Sequence, residues 1–543
     1  MSREPLSSTT STLRKRARSA FGTTRGRSRP GRIGAAAVAA MVLASCTTSG
    51  EPGSGGEGSG ETFTIAIGVD LDTVDPAQQT TTTVQNVIDY GLETLTSLDK
   101  DGKTQPGLAT EWETSESGKE VTLNLRGGVK FQDGTSFDAE AVKFNLDRIR
   151  DPKVTVPIGG AFVVINNVEV VDESTVRLDL EYPDPSLISN LAITTSAIIS
   201  PESATKEGNT YDNIVKPVGT GPYTFKNFQK GDKAVFEKYD DYWGEKPHYD
   251  TVVFSIVPEG TSREAVLRSG EADLIMNPPV TDLEALEDDP NLDVLKAPSD
   301  RAVFMAFNTS KPPFDDVNVR RALNYAIDKE SVVENVLFDT VDVMDSPLAA
   351  SVNGYCGVGS YDYDPEKAKK LLAEAGQTNL SITLGTPSGR YLQDKQAAQA
   401  IAANLADVGV QAKVSTTDWP SYLSAIVEKD GPYDMHMLGW APGALDAPTQ
   451  FQMFQKSMWP PNGLASAFYT NERVEPLIAE GNRELDGEKR NEIYCEAQEL
   501  LWSEAPWLFM WSQNLVLAHS SDIEGITYTP NEKFDTVYAR PAS

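Results

Sequence analysis

Histidine and cysteine are scarce in this 543-residue sequence, with three of each. His248, His436 and His519 lie far apart, so each reads as a packed or surface residue before it reads as a base or a metal ligand. There is no H-E-x-x-H pair, no G-x-S-x-G nucleophile elbow and no G-x-x-x-x-G-K phosphate loop. The common signatures of exported hydrolases and nucleotide-binding enzymes are therefore missing, and no enzyme activity, metal or cofactor is expected. Paired carboxylates can be argued neither for nor against among so many acids. Basic residues are outnumbered, 48 against 79 acidic, which leaves a formal net charge of −31. Affinity for a phosphate backbone depends on lysine and arginine displacing counterions, so nucleic acid is not an expected partner. The acidic excess reads as a solvated, soluble surface.

What the chain does have, at its start, is a basic stretch from Arg3 to Arg32 followed by an uncharged run from Ile33 to Ser45, the order of a secretory signal. Thirteen residues at ~1.5 Å each are too short to span a bilayer. The run ends in Leu43-Ala44-Ser45-Cys46, which resembles the lipobox where a bacterial lipoprotein is cleaved and its new N-terminal cysteine acylated. The alternative is an ordinary signal with a chance cysteine. On the lipobox reading, residues 1–45 are a signal peptide and Cys46 is a lipid anchor. Residues 46–61, rich in glycine, serine and glutamate, cannot bury enough apolar surface to fold and read as a flexible tether. A tether behind an anchor keeps a globular body concentrated near a partner in the same membrane.

Removing residues 1–45 takes away nine basic and one acidic side chain and moves the formal charge from −31 to −39. The remaining 498 residues exceed the ~250–300 at which one hydrophobic core stops growing, so two lobes or more are expected. Cys356 and Cys495 form an even pair in a compartment where thiols oxidise. Either they bridge, which requires Cα atoms within about 7 Å, or they are two unrelated buried thiols.

Short β-rich runs alternate with amphipathic helices along the body, the pattern of an α/β fold, with no internal repeat or further membrane span. Strands are predicted at Phe63–Gly68, Val121–Arg126, Val252–Val257, Val303–Asn308, Ile382–Gly385, Val410–Ser415 and Met435–Leu438. Asp364-Pro365 supplies an N-cap and a first-turn proline, Ala368, Leu371, Leu372 and Ala375 make one apolar face, and Gly376 ends that helix. A second helix runs from Val319. A third carries Ile401, Leu405 and Val408 and stops at Gly409, which makes Ile382–Ser415 a βαβ unit.

A series of ordered segments adds to this. They are Leu71-Asp72-Thr73-Val74-Asp75-Pro76, Tyr90 to Leu95, Pro106 to Ala109 closing on Trp112, Leu125 to Thr135 (LRGGVKFQDGT) with a helix over Ala139–Ile149, Pro217 to Tyr223 (PVGTGPY), Tyr242-Trp243-Gly244, Ser269 to Asp273, Phe307-Asn308-Thr309, and Val319 to Leu323. Taken singly, several are turn signals found on any fold. In this order and spacing they resemble the family 5 extracytoplasmic solute-binding proteins of peptide and nickel ABC importers.

That resemblance implies a two-lobed periplasmic-binding-protein-like fold (type II) with a hinge between the lobes. Lobe I would span residues 62–300 with an inserted subdomain at about 108–216, lobe II 301–512, and residues 513–543 would return to lobe I. It implies a monomer outside the cell, anchored by lipid to the outer face of the bacterial cytoplasmic membrane. There it would deliver a small solute, a short peptide first and a metal chelate, opine or oligosaccharide as alternatives, to a membrane-embedded permease and its ATPase subunits. Within it, Pro387-Ser388-Gly389-Arg390 matches a pattern whose arginine meets a ligand carboxylate, a job suited to the guanidinium fork; an exposed surface arginine is the alternative. Gly439-Trp440 matches the pair that precedes the acid for a ligand ammonium. Where dipeptide binders carry that acid this chain has Gly443, and Asp446 either substitutes for it or belongs to a following Asp-Pro element. Trp440, Trp419 and Tyr422 are candidates to pack on a ligand or to fill the core.

Overall fold

The computed structural model describes residues 61–543; the expected signal peptide, Cys46 and all but the last residue of the tether lie outside the described residues. The frame is an 11-stranded sheet built around two long antiparallel strands, Leu292–Phe307 and Trp507–Ser520. Their pairing changes register between Ala297 and Arg301. On one side of this break, Leu274–Met276, Thr62–Ile67, Thr251–Ile256, Lys233–Lys238 and Tyr223–Gln229 extend the sheet in that order. On the other side, Met435–Trp440, Ser381–Pro387 and Gln411–Thr417 extend it, and Val341–Val343 pairs with the second long strand.

The inner halves of the long strands, Ala302–Phe307 and Trp507–Trp511, are continuous apolar runs that are buried throughout, as suits strands covered on both faces. Phe304 and Trp507 stack between them with ring centroids 3.4 Å apart. The predicted strand at Val303–Asn308 is thus only the end of a 16-residue strand. Its first half (LDVLKAPSDR) reads as a breaker because of Pro298 and its charges, and Pro298 is tolerated because it sits at the register break.

The other predicted elements form within a residue or two of their expected ends. Ser381–Pro387 and Gln411–Thr417 pair in parallel around helix Asp394–Asp407. In helix Pro365–Glu374, the Asp364 side chain accepts from Lys367 N–H at 2.9 Å, Ala368 and Leu372 are buried, and Gly376 follows at φ +73°. Cys356 and Cys495 are joined by a disulfide with Cα atoms 5.4 Å apart, which ties the loop after Val343 to helix Gly487–Glu504.

A separate antiparallel sheet, ordered Ala109–Thr114, Glu120–Leu125, Thr175–Leu180, Ile165–Asp172, has its own core of Phe131, Val142, Leu146 and Leu178. Glu120–Leu125 alternates outward and inward residues and buries Val121, Leu123 and Leu125, because only one face of this sheet is covered, by helix Ala139–Arg148.

The segments that carried the resemblance meet here. Arg148 of that helix reaches Asp75 with both terminal guanidinium nitrogens, at 3.0 and 2.5 Å, in a buried pair. Gln132 Nε2 donates to the carbonyls of Gly91, Gly221 and Tyr223. Glu93 accepts from Thr220, Tyr242 and Trp243 at 2.7–2.9 Å. A Cβ on Gly219 would lie 2.3 Å from the Gly91 carbonyl oxygen, so only glycine allows that approach. These segments join the small sheet to the large one.

Candidate functional site

Beside the register break, three walls enclose a cavity of about 50 Å3. Thr80, Thr82 and Gln85 come from the start of helix Thr82–Ile88; Ile158 and Ile193 come from loops flanking the small sheet; the third wall is Arg390, Trp419 and the run Leu438–Gly443. A buried water needs roughly 10–15 Å3 of such space, so a few waters fit and a larger solute enters only if the walls part.

Arg301, just past the break, forms the floor. Its Nε donates to Glu532 at 2.6 Å and its Nη2 pairs with the same carboxylate. Nη2 also donates to Thr82 Oγ1 at 2.9 Å, and Nη1 donates to the Gly439 carbonyl at 3.0 Å. Burial works against the charge, but the adjacent Glu532 carboxylate outweighs it and holds the guanidinium's proton more firmly than usual. Neighbouring Asp300 is fully buried; its Oδ2 accepts from Gly443 N–H at 2.9 Å, while Oδ1 has no partner among the described residues. Burial, reinforced by Glu532, pushes its carboxyl up to about 8.

Arg390 presents the opposite case. The turn that carries it is fixed by Asp394, whose carboxylate accepts from the N–H groups of Arg390 and Tyr391 at 2.9 and 3.3 Å. Tyr391 is fixed in turn by accepting Gly439 N–H at 2.8 Å. The guanidinium is 4% exposed and lies over the rings of Tyr391 and Trp419, 5.0 and 5.5 Å from their centroids. It has no ion pair among the described residues, and its buried Nε has no hydrogen-bond partner. Burial, and then the like charge of Arg301, lower its hold on its proton. Trp419 Nε1 is likewise buried without a partner.

Of the five expected ligand contacts, Arg390, Trp419 and Trp440 line the cavity. Trp440 is steadied by Nε1 donating to the Thr449 carbonyl at 2.9 Å. The other two do not line the cavity. Tyr422 is buried behind the wall, where its hydroxyl is engaged by the carbonyls of Gly385 and Met437 at 3.0 and 2.8 Å. Asp446 caps helix Ala447–Phe451 and accepts from Ser186 Oγ at 2.7 Å and Arg490 Nη2 at 2.9 Å, so its charge is already paired.

The sequence reading missed Thr80, Thr82, Gln85, Arg301 and Gln452. A signal for the first three exists in the polar stretch Gln79–Asn86, most of which is buried. Arg301 gives no local signal, because its partner lies 231 residues away. Among the described residues no group of three or more His, Cys, Asp or Glu side chains could hold a metal ion, and no helix is long and apolar enough to cross a membrane.

The model of the bacterial extracellular solute-binding proteins, family 5 (middle part), matches residues 103–460. The glutathione-binding protein of Salmonella typhimurium is 31% identical over 475 residues, 87% of this chain and 92% of its own. A dipeptide-binding protein from Pseudoalteromonas, solved with Met-Leu, superposes with a TM-score of 0.82 at 26% identity, covering 89% of this chain and 100% of that one. A periplasmic binding protein from A. tumefaciens R10, solved with agropinic acid, gives 0.80 at 25% identity, with 89% and 99% covered.

Proposed function

We propose that this chain, which belongs to the family 5 bacterial extracellular solute-binding proteins, captures a short peptide or similarly sized carboxylate between two lobes and hands it to an ABC importer. The single observation that carries the carboxylate is Arg390, a buried guanidinium without an ion pair among the described residues, on a cavity wall between aromatic rings. An unpaired buried cation costs several kcal/mol, and a bound carboxylate offsets that through bidentate charge-assisted hydrogen bonds. The hinge is at the register break near Asp300 and at Gln513, where the two long strands pass between lobes; lobe I is 62–300 with the small-sheet subdomain inserted at about 108–216, and lobe II is 301–512.

Closure then needs no covalent chemistry. Solute contacts to both lobes stabilise the closed state, and only that state is presented to the permease and its ATPase subunits. The protein acts as a monomeric receptor and not as an enzyme, outside the cell, exported by residues 1–45 and held to the membrane by acylated Cys46. A peptide is favoured by the relatives named for glutathione and for a dipeptide; the agropinic acid relative keeps an opine-like carboxylate as a second reading.

The test is mass spectrometry of the exported protein, native and then denatured. The expected result is one small carboxylate-bearing solute per chain, released unchanged. Conversion of that solute on incubation would replace the receptor reading by an enzyme.

A further inference from the structure

The cavity carries a second piece of chemical information, which rests on the receptor reading and sharpens it. Among the described residues, its two cationic lining residues are Arg301, neutralised by Glu532, and Arg390, and no aspartate or glutamate lines it. The carboxylates nearby are committed elsewhere. Asp300 accepts from Gly443 N–H behind the loop, Asp446 is paired with Arg490, and Asp72, outside the lining but near enough for its charge to act on Arg390, accepts from Thr80 Oγ1 at 2.5 Å. The remaining polar lining groups, such as Gln85, Thr449 and Gln452, are neutral and suit amides and hydroxyls.

We propose that the solute is read through a carboxylate at Arg390 and carries no free ammonium group into the cavity: its nitrogen is acylated, as in an N-acyl peptide or N-acyl amino acid, or absent. An ammonium enclosed beside Arg390 would meet a like charge and no carboxylate among the described lining residues, which raises the cost of burying it. An acylated nitrogen keeps an N–H for a glutamine or threonine oxygen without that charge.

The experiment is isothermal titration of the full mature chain with matched sets built on several bodies: Ala-Leu, Met-Leu, glutathione and phenylalanine. Each is presented with its free amine, N-acetylated, and with its carboxylate amidated. The proposal expects the tightest binders to be N-acetylated and to bind at least as tightly as their free-amine counterparts, with amidation weakening them about tenfold or more. A tightest binder that loses tenfold on acetylation would overturn the inference and leave the receptor standing. No saturable binding by any carboxylate of any set would overturn both. Gly443→Asp supplies a further readout: a Cβ there meets only Ile193, at 3.8 Å or more, so a carboxylate has room despite φ of +73°. It is expected to shift preference about tenfold towards free amines; an unchanged preference would count against the counter-charge argument.

Discussion

The floor of the cavity and its lobe II wall each bury one arginine, and the two are treated in opposite ways. Arg301 on the floor is surrounded by Glu532, Thr82 and Gly439, contacts that draw in the N-terminal region, the C-terminal segment and lobe II. Arg390 on the wall has aromatic faces beside it, and its guanidinium has no ion pair among the described residues. Burial alone therefore does not identify a binding residue. What separates them is a paired counter-charge among the described residues: Arg301 has one in Glu532, and Arg390, which has none, is the arginine proposed above to meet a ligand.

The largest expected effect comes from Arg301→Ala, which strands buried Glu532. Denaturant unfolding should show a loss of about 3–5 kcal/mol. Arg390→Ala removes an unpaired charge, and the solute-free protein should be no less stable than the parent. An equal stability loss in both variants would erase the distinction drawn here.

Arg390→Ala should instead cost about 2–5 kcal/mol of solute affinity by calorimetry. Retained affinity would return Arg390 to the scaffold. Replacing Cys356 and Cys495 together by serine opens a closure spanning 139 positions and should cost about 2–4 kcal/mol of stability, the typical range for a disulfide. Because the disulfide lies outside the cavity lining, solute affinity in that variant should stay within about twofold of the parent, a difference below roughly 0.5 kcal/mol.

A further expected effect is a pH slope. The Asp300 carboxyl is raised to about 8, so between its ordinary range near 4 and pH 8 the folded chain keeps a proton that the unfolded chain releases. Its contribution is present at low pH and fades as pH rises through 8. Asp300→Asn should remove that slope, so the variant gains relative to the parent in thermal scans from pH 5 to pH 9. A parallel pair of pH profiles would mean that Asp300 is ionised in the fold throughout.

How much of this was readable beforehand follows the range of each interaction. Helix Pro365–Glu374 and the βαβ unit were legible because caps and periodicity act within one or two turns. The segments Leu71–Pro76, Leu125–Thr135 and Pro217–Tyr223 were recognisable by order, and what they do in the fold is join the two sheets, through Asp75–Arg148 and Gln132. Arg390, which lines the cavity, could be singled out because a short turn motif precedes it. Tyr422 and Asp446 looked equally suitable in sequence, and their partners across the fold, the Met437 carbonyl and Arg490, were not legible there. Arg301 was unreadable for the same reason, its meaning being set by Glu532.

The most direct test of the central claim is small-angle scattering of the mature protein and of its Arg390→Ala variant, each with and without the solute identified by mass spectrometry. The parent should contract when the solute is added, and the variant should not at the same concentration. A parent that binds without changing shape, or a variant that contracts like the parent, would contradict a receptor whose lobes close on an anion held by Arg390.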